Sequence, residues 1–129
     1  MILPMLSVRD GKQAVEFYKE AFGATELWRI ENDGGEIVAG LSVDGAHFYL
    51  ADESPEHSNF SPQTLGGSSV RIELIVEDPD AMFQRAISAG AEEVWPVADQ
   101  PYGWRQGRVV DPYGHHWLIG KPLPGDGAV

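Results

Sequence analysis

The feature that most constrains this chain is an internal repeat. Near its end, Asp111-Pro-Tyr-Gly114 is a turn signal, because proline presets φ and glycine takes the positive φ that closes a hairpin. The flanks Arg108-Val-Val110 and His116-Trp-Leu-Ile119 are β-branched and aromatic, as strands prefer. A fainter copy precedes it: Val43-Asp44 mirrors Val110-Asp111, and Ala46-His-Phe-Tyr-Leu50 mirrors His115-His-Trp-Leu-Ile119.

The rest of the chain keeps the same order. Ala14 to Ala24 overlays Ala81 to Ala91 at an offset of 67, which pairs Gly23 with Gly90. Val8 and Asp10 overlay Val76 and Asp78 at 68, and Leu50 overlays Ile119 at 69. Small loop insertions produce such drift. Two copies are too few to stack as a solenoid, so the pattern predicts two modules in one domain.

Each copy reads as βαβββ, which makes the fold class α+β. In the first, Ile2 to Val8 is a strand and Asp10 caps a helix running through Ala21 to a C-terminal Gly23. Ala14, Phe17, Tyr18, Ala21 and Phe22 form its apolar stripe. Strands follow at Glu26 to Ile30, Glu36 to Val43 and Ala46 to Ala51, the first two joined through the turn Asn32-Asp-Gly-Gly35. In the second, Ser69 to Val76 is a strand, and Asp78-Pro79 starts a helix that ends at Gly90. Glu92 to Val97 is a strand confined to an edge by Pro96, and the closing hairpin completes the copy. Residues 1–52 are thus module one and 69–121 module two. The stretch 53–68, rich in Ser-Pro and Gly, is expected as an exposed linker without an element, and 122–129 as a tail.

Composition narrows the functional classes. The 129 residues suffice for one compact domain, here 1–129, and contain no cysteine, which excludes disulfides, thiolate metal sites and a cysteine nucleophile. That suits the cytoplasm. No apolar run approaches the roughly 20 residues of a membrane span, and Met1-Ile-Leu-Pro-Met5 does not open like a signal peptide. A net charge of −11 repels phosphate backbones, so neither nucleic acid nor membrane is an expected partner. The hydrolase, phosphate-loop and zinc-peptidase motifs are all missing.

Several stretches together resemble the vicinal oxygen chelate superfamily of glyoxalase, bleomycin resistance and dioxygenase proteins, and within it the small PhnB-like proteins. They are Ala14-Val-Glu-Phe-Tyr-Lys-Glu-Ala-Phe-Gly-Ala24, Leu50-Ala-Asp-Glu-Ser-Pro-Glu-His57, Val76-Glu-Asp78, and Tyr102 through Trp117. The resemblance spans nearly all of residues 1–121 and implies that both modules curl into one cup, with helices outside, a ligand inside and a homodimer as the assembly. It does not imply one reaction.

Period-two alternation assigns the faces. Val70, Ile72, Leu74 and Val76 should pack on the helices, leaving Ser69, Arg71, Glu73 and Ile75 in the cup. The first strand should show Leu3, Met5 and Ser7 there, the fourth His47, Tyr49 and Ala51, and the eighth His116, Leu118 and Gly120. Metal-dependent relatives carry a His or Glu ligand on each of the first, fourth, fifth and eighth strands. The matching positions here are Leu3 or Met5, Tyr49, Arg71 or Glu73, and Leu118, a poor donor set. The expectation is therefore a binding protein without a cofactor, using Tyr49, Arg71, Glu73, Trp104 and His116. Tyr102 and Trp104 flank a loop over the mouth, and Trp28 is either a stacking surface or core. His57 and His115 are expected at the surface.

The alternative is a glyoxalase-like lyase or isomerase, or a dioxygenase-like enzyme. Either His47, Glu73 and His116 would recruit a divalent metal such as Zn, Ni, Mn or Fe, or Glu73 would act as a lone catalytic base. A third reading is an interaction domain without ligand chemistry. Glu73 carries the most weight in the first two, either free for a ligand or neutralised by Arg71 two residues away.

Overall fold

A computed structural model describes residues 1–125; the last four residues of the expected tail lie outside the described range. The elements run β1 (Met5–Val8), α1 (Gly11–Phe22), β2 (Thr25–Glu31), β3 (Ile37–Val43), β4 (Ala46–Asp52), a 3-10 turn (Pro55–His57), α2 (Pro62–Leu65), β5 (Arg71–Ile75), α3 (Pro79–Ala89), β6 (Glu92–Asp99), β7 (Trp104–Val110) and β8 (His116–Pro122). Two four-stranded sheets result, ordered β1-β4-β3-β2 and β5-β8-β7-β6. Both follow one plan: the first strand of each module lies parallel to its last, and the other pairs are antiparallel. The α+β duplication read from the sequence is the fold.

Local chemistry sets the helix ends. The Asp10 carboxylate accepts from the Gln13 amide at 3.1 Å, and Asp78 from the Ala81 amide at 3.1 Å. Pro79 occupies the first turn of α3, and Gly23 ends α1 in the left-handed region at φ 69°. β6 is an edge strand, as Pro96 requires, and its pairing to β7 shifts register on both sides of Trp95.

The helix-facing sides meet in one core. Phe22 packs on Trp117 with ring centroids 4.8 Å apart, and Tyr18 meets Phe48 at 5.3 Å and Trp117 at 5.6 Å. Thus α1 of module one buries itself against β8 of module two. Into this apolar cluster the fold places one carboxylate, Asp111, which is 4% exposed. It accepts hydrogen bonds from the Tyr18 hydroxyl, from the Trp117 indole at 2.9 Å, and from the Tyr113 and His115 amides at 2.9 and 3.0 Å. Burial first, and the adjacent Asp111 charge second, push the Tyr18 hydroxyl well above the ordinary phenol range. The modules are also tied by Arg85, whose guanidinium donates to the carbonyls of Lys19 and Glu20 at 3.3 and 2.7 Å, closing the C-terminus of α1.

Three expectations need correction. The stretch 53–68 is not featureless: it holds the 3-10 turn and α2, with Ser61 and Pro62 buried. Glu53 organises it by accepting from the Ser61 amide at 2.9 Å and from the Thr64 hydroxyl at 2.8 Å. β5 begins at Arg71, so Val70 lies before the strand and is 63% exposed instead of packing on a helix. His115 is not a surface residue; it is half-buried and reaches the Ser7 carbonyl at 2.9 Å, tying the turn before β8 to β1.

Removing the Tyr18 hydroxyl leaves Asp111 one donor short. A hydrogen bond to a charged group contributes about 1.5–3 kcal/mol, so Tyr18→Phe should lower unfolding free energy by that amount in urea titrations. Asp111→Ala, which orphans four donors, should cost more than Tyr18→Phe. Equal costs, or none, would show that the carboxylate does not hold the modules together.

Candidate functional site

Helices cover one face of each sheet, and the opposite, open faces carry the polar side chains expected of a binding surface. On β5, Ile72 and Leu74 pack on the core while Arg71, Glu73 and Ile75 are exposed. On β8, Trp117 and Ile119 are buried and His116 and Leu118 are half-buried. On β4, Phe48 and Leu50 are core, leaving His47, Tyr49 and Ala51 on the open side. The alternation read from the sequence holds on all three strands.

Register brings the expected residues into two groups. Arg71 lies opposite His116 and Glu73 opposite Leu118, so these share one face of the second sheet. Tyr49 lies opposite Met5 and Gly40 on the first sheet. There Trp28 crosses Gly40 to meet Tyr49 edge-on at 4.8 Å. A side chain at position 40 would have no room: a Cβ would sit 2.4 Å from the indole nitrogen of Trp28. Trp28 is therefore part of an aromatic platform on the open face rather than of the core.

On the second sheet two side chains that the sequence reading omits complete the site. β7 pairs with β8 so that Gln106 faces Gly120 and Arg108 faces Leu118, which puts both on the open face. Gln106 is 4% exposed; its amide donates to the Glu73 carboxylate at 2.9 Å and accepts from the Tyr102 hydroxyl at 2.7 Å. Only one orientation of the amide satisfies both bonds. Trp104, half-buried, starts β7 on this same face. The signal for Gln106 and Arg108 is period-two alternation carried through 104–110.

Arg71 and Glu73 form no ion pair with each other among the described residues. Gln106 takes the carboxylate instead. Arg108 donates from Nε to Nδ1 of His116 at 3.1 Å. Arginine is never an acceptor, so Nδ1 must be the lone-pair nitrogen, and the neutral ring carries its proton on Nε2. Burial and then the Arg108 charge hold His116 below the ordinary imidazole value of 6.5.

A cavity of about 590 Å³ adjoins this face, within the range of small-molecule sites. Its walls are the facing edges of β1 and β5, including Met5, Ser7, Arg71 and Glu73, and its cover is the 53–68 segment through Phe60 and Leu65.

The alternative metal set His47, Glu73 and His116 is not assembled among the described residues. His47 is exposed on the first sheet, apart from Glu73 and His116 on the second, and no cluster of three potential metal ligands occurs among the described residues. One ring nitrogen of His116 is engaged by Arg108 and the other is protonated in the neutral ring. At the strand positions where the resemblance places ligands stand Leu3 or Met5, Tyr49, Arg71 or Glu73, and Leu118; leucine has no lone pair and arginine is a cation, and Glu73 is the one ordinary metal ligand among them.

Comparison with known proteins agrees with the fold. The family model for the Glyoxalase/Bleomycin resistance protein/Dioxygenase superfamily matches residues 3–119. The chain belongs to this superfamily. It is 43% identical over 124 residues to an uncharacterized protein of Mycobacterium tuberculosis, covering 93% of this chain and 73% of that one. Among solved structures it is similar to TioX from Micromonospora sp. ML1, at 30% identity and TM-score 0.74, covering 95% of this chain and 98% of that one. It is also similar to an Arabidopsis thaliana gene product, at 31% identity and TM-score 0.75, covering 94% and 98%. The fosfomycin resistance protein FosX of Listeria monocytogenes shares the fold, with TM-score 0.76 at 15% identity over 99% of this chain and 97% of that one.

The depressed His116 has a measurable consequence. Because its folded value lies below its unfolded one, the unfolded chain takes up the proton first, and stability falls as pH drops from about 6.5 through the folded midpoint. An NMR titration should place His116 below 6.5, and Arg108→Gln should move it upward. A midpoint at or above the free-imidazole value would show that the Arg108 bond does not exist in solution.

Proposed function

We propose that this protein binds a small organic molecule on the open faces of its sheets, without a resident metal, and works as a cytoplasmic homodimer. Its motif pattern points to the PhnB-like subgroup of the superfamily. One observation carries the reading: Glu73–Gln106–Tyr102 and Arg108–His116 are hydrogen-bonded in place on an open sheet face, beside a cavity of ligand size. Structural polar groups would be turned inward or dissolved at the rim. Here the amide of Gln106, 4% exposed, spends both its donor and its acceptor on holding Glu73 and Tyr102 towards the open side.

The first sheet supplies what the second lacks. Trp28 and Tyr49 offer an edge-to-face aromatic pair, and Met5 and Ile30 on the same face are 59% and 65% exposed. An amphiphilic molecule with a ring and a polar end suits the two faces together. Exposed Ile75, at 57%, extends the uncovered apolar surface to the second sheet, and a second copy of the chain is the proposed cover. Nucleic acid and membrane are not proposed partners, given the net charge of −11.

Three measurements test this. Purified protein should hold well below one equivalent of Zn, Ni, Mn or Fe by elemental analysis; a full equivalent lost in Glu73→Gln would replace the binding reading with an enzymatic one. Sedimentation at micromolar concentration should give a species near twice 14.1 kDa, and a monomer alone would remove the dimer. Small aromatic molecules should raise the thermal midpoint of the wild type but not of Gln106→Leu. A panel of aromatic acids, amides and amines without effect would leave the open face with no ligand role.

A further inference from the structure

Resting on the reading that the open face holds the ligand, we infer that the second sheet recognises an anionic group of that ligand, a carboxylate or a phosphonate-like oxyanion, through Arg71, His116 and Arg108. The partnering of cations across the protein points there. Of nine Lys and Arg side chains, five pair with carboxylates: Arg9, Lys12, Lys19, Arg29 and Arg105. Arg85 and Lys121 donate to backbone carbonyls. Only Arg71 and Arg108, among the described residues, have neither. A chain with 20 acidic side chains has carboxylates to spare, yet the two cations that have neither kind of partner stand on one face of one sheet.

They also flank the same imidazole. Arg71 is opposite His116 on the neighbouring strand, and Arg108 reaches the ring from the other side at 3.1 Å. The three groups thus stand on three adjacent strands about 4.8 Å apart, with Arg108 one register pair along from His116, opposite Leu118. These three groups present donors only: the Arg71 guanidinium, the unused N–H groups of Arg108, and the Nε2–H that Arg108 itself imposes on His116. Three donor groups gathered in this way complement an acceptor-only group, which a carboxylate or phosphonate is and an amine or amide is not. Of the acids on this face, Glu73 is tethered by Gln106 at 2.9 Å, and neither it nor Glu92, opposite Val110 on the edge strand, forms an ion pair with either arginine. Gln106 thus keeps the nearest competing carboxylate from neutralising the site. The chain as a whole is acidic; at this site the local sign is reversed.

Benzoate and its neutral counterpart benzamide provide the test, read by the NMR signals of the Arg108 Nε–H and the His116 ring in the full chain. Benzoate should shift both signals saturably, and benzamide should not. Arg71→Gln, at an exposed position, and Arg108→Lys, which keeps the charge but loses the planar fork, should each weaken benzoate by roughly 10-fold or more, as expected for a lost charge-assisted bond. Both variants should unfold at the wild-type temperature within a few degrees. Equal binding of benzamide and benzoate would overturn the anion site and leave small-molecule binding standing. Neither probe binding, with no shift at tens of millimolar, would overturn both. Benzoate binding undiminished in both variants would place the anion elsewhere.

Discussion

The Asp111 carboxylate, set among aromatic rings between the two modules, is the interaction on which the structure depends. Placing an ionised group in an apolar core is costly unless every lone pair finds a donor. Four donors meet it: two backbone amides from its own turn, the Trp117 indole from β8, and the Tyr18 hydroxyl from α1. The first three are local to module two. Tyr18 comes from the other module, so the last donor arrives only when α1 docks. The turn, the strand that follows it and the opposite helix are therefore fixed by a single group, and His116 and Leu118 are aimed to the open face because Trp117 between them is pinned inward.

Much of this arrangement is legible in the sequence because it rests on periodicities and on Gly and Pro. Both helices start at Asp10 and Asp78 and end at Gly23 and Gly90, and the strand faces follow from alternation. Asp111 itself is the exception. As the first residue of Asp-Pro-Tyr-Gly it looks like turn chemistry and nothing more, and the equivalent Asp44 is indeed a turn residue in solvent, at φ 50° beside Gly45. What distinguishes the copies is loop length. The first hairpin turns tightly through Asp44-Gly45, from Val43 to Ala46, while the second has two more residues between its aspartate and the matching strand position. That insertion lets the Asp111 side chain fold inward, and it accounts for the offset growing from 67 to 69.

The site was partly legible for a related reason. Arg71, Glu73, His116 and Tyr49 were found by register, since a strand residue's face is decided by its parity. What parity cannot supply is pairing. Arg71 and Glu73, two apart on one face, look like an ion pair; the acid is instead captured by Gln106, two strands away in the sheet, which only the β5-β8-β7 order brings within reach. The helical structure of 53–68 was hidden by its Pro and Ser, which read as breakers although Ser61 and Pro62 form the cap and first turn of α2.

The divergence of the two hairpin turns bears on how a duplicated chain ages. Twin halves begin as interchangeable units, each able in principle to partner any copy of itself. Once one half turned its acid inward and the other supplied the hydroxyl that meets it, the halves became complementary instead of equivalent. Module two expressed by itself would carry a buried carboxylate lacking a donor, and two copies of module one would offer hydroxyls with no acid to receive them. The duplication has become a one-way commitment, and any ancestor assembled from identical halves must have been held together by something other than this contact.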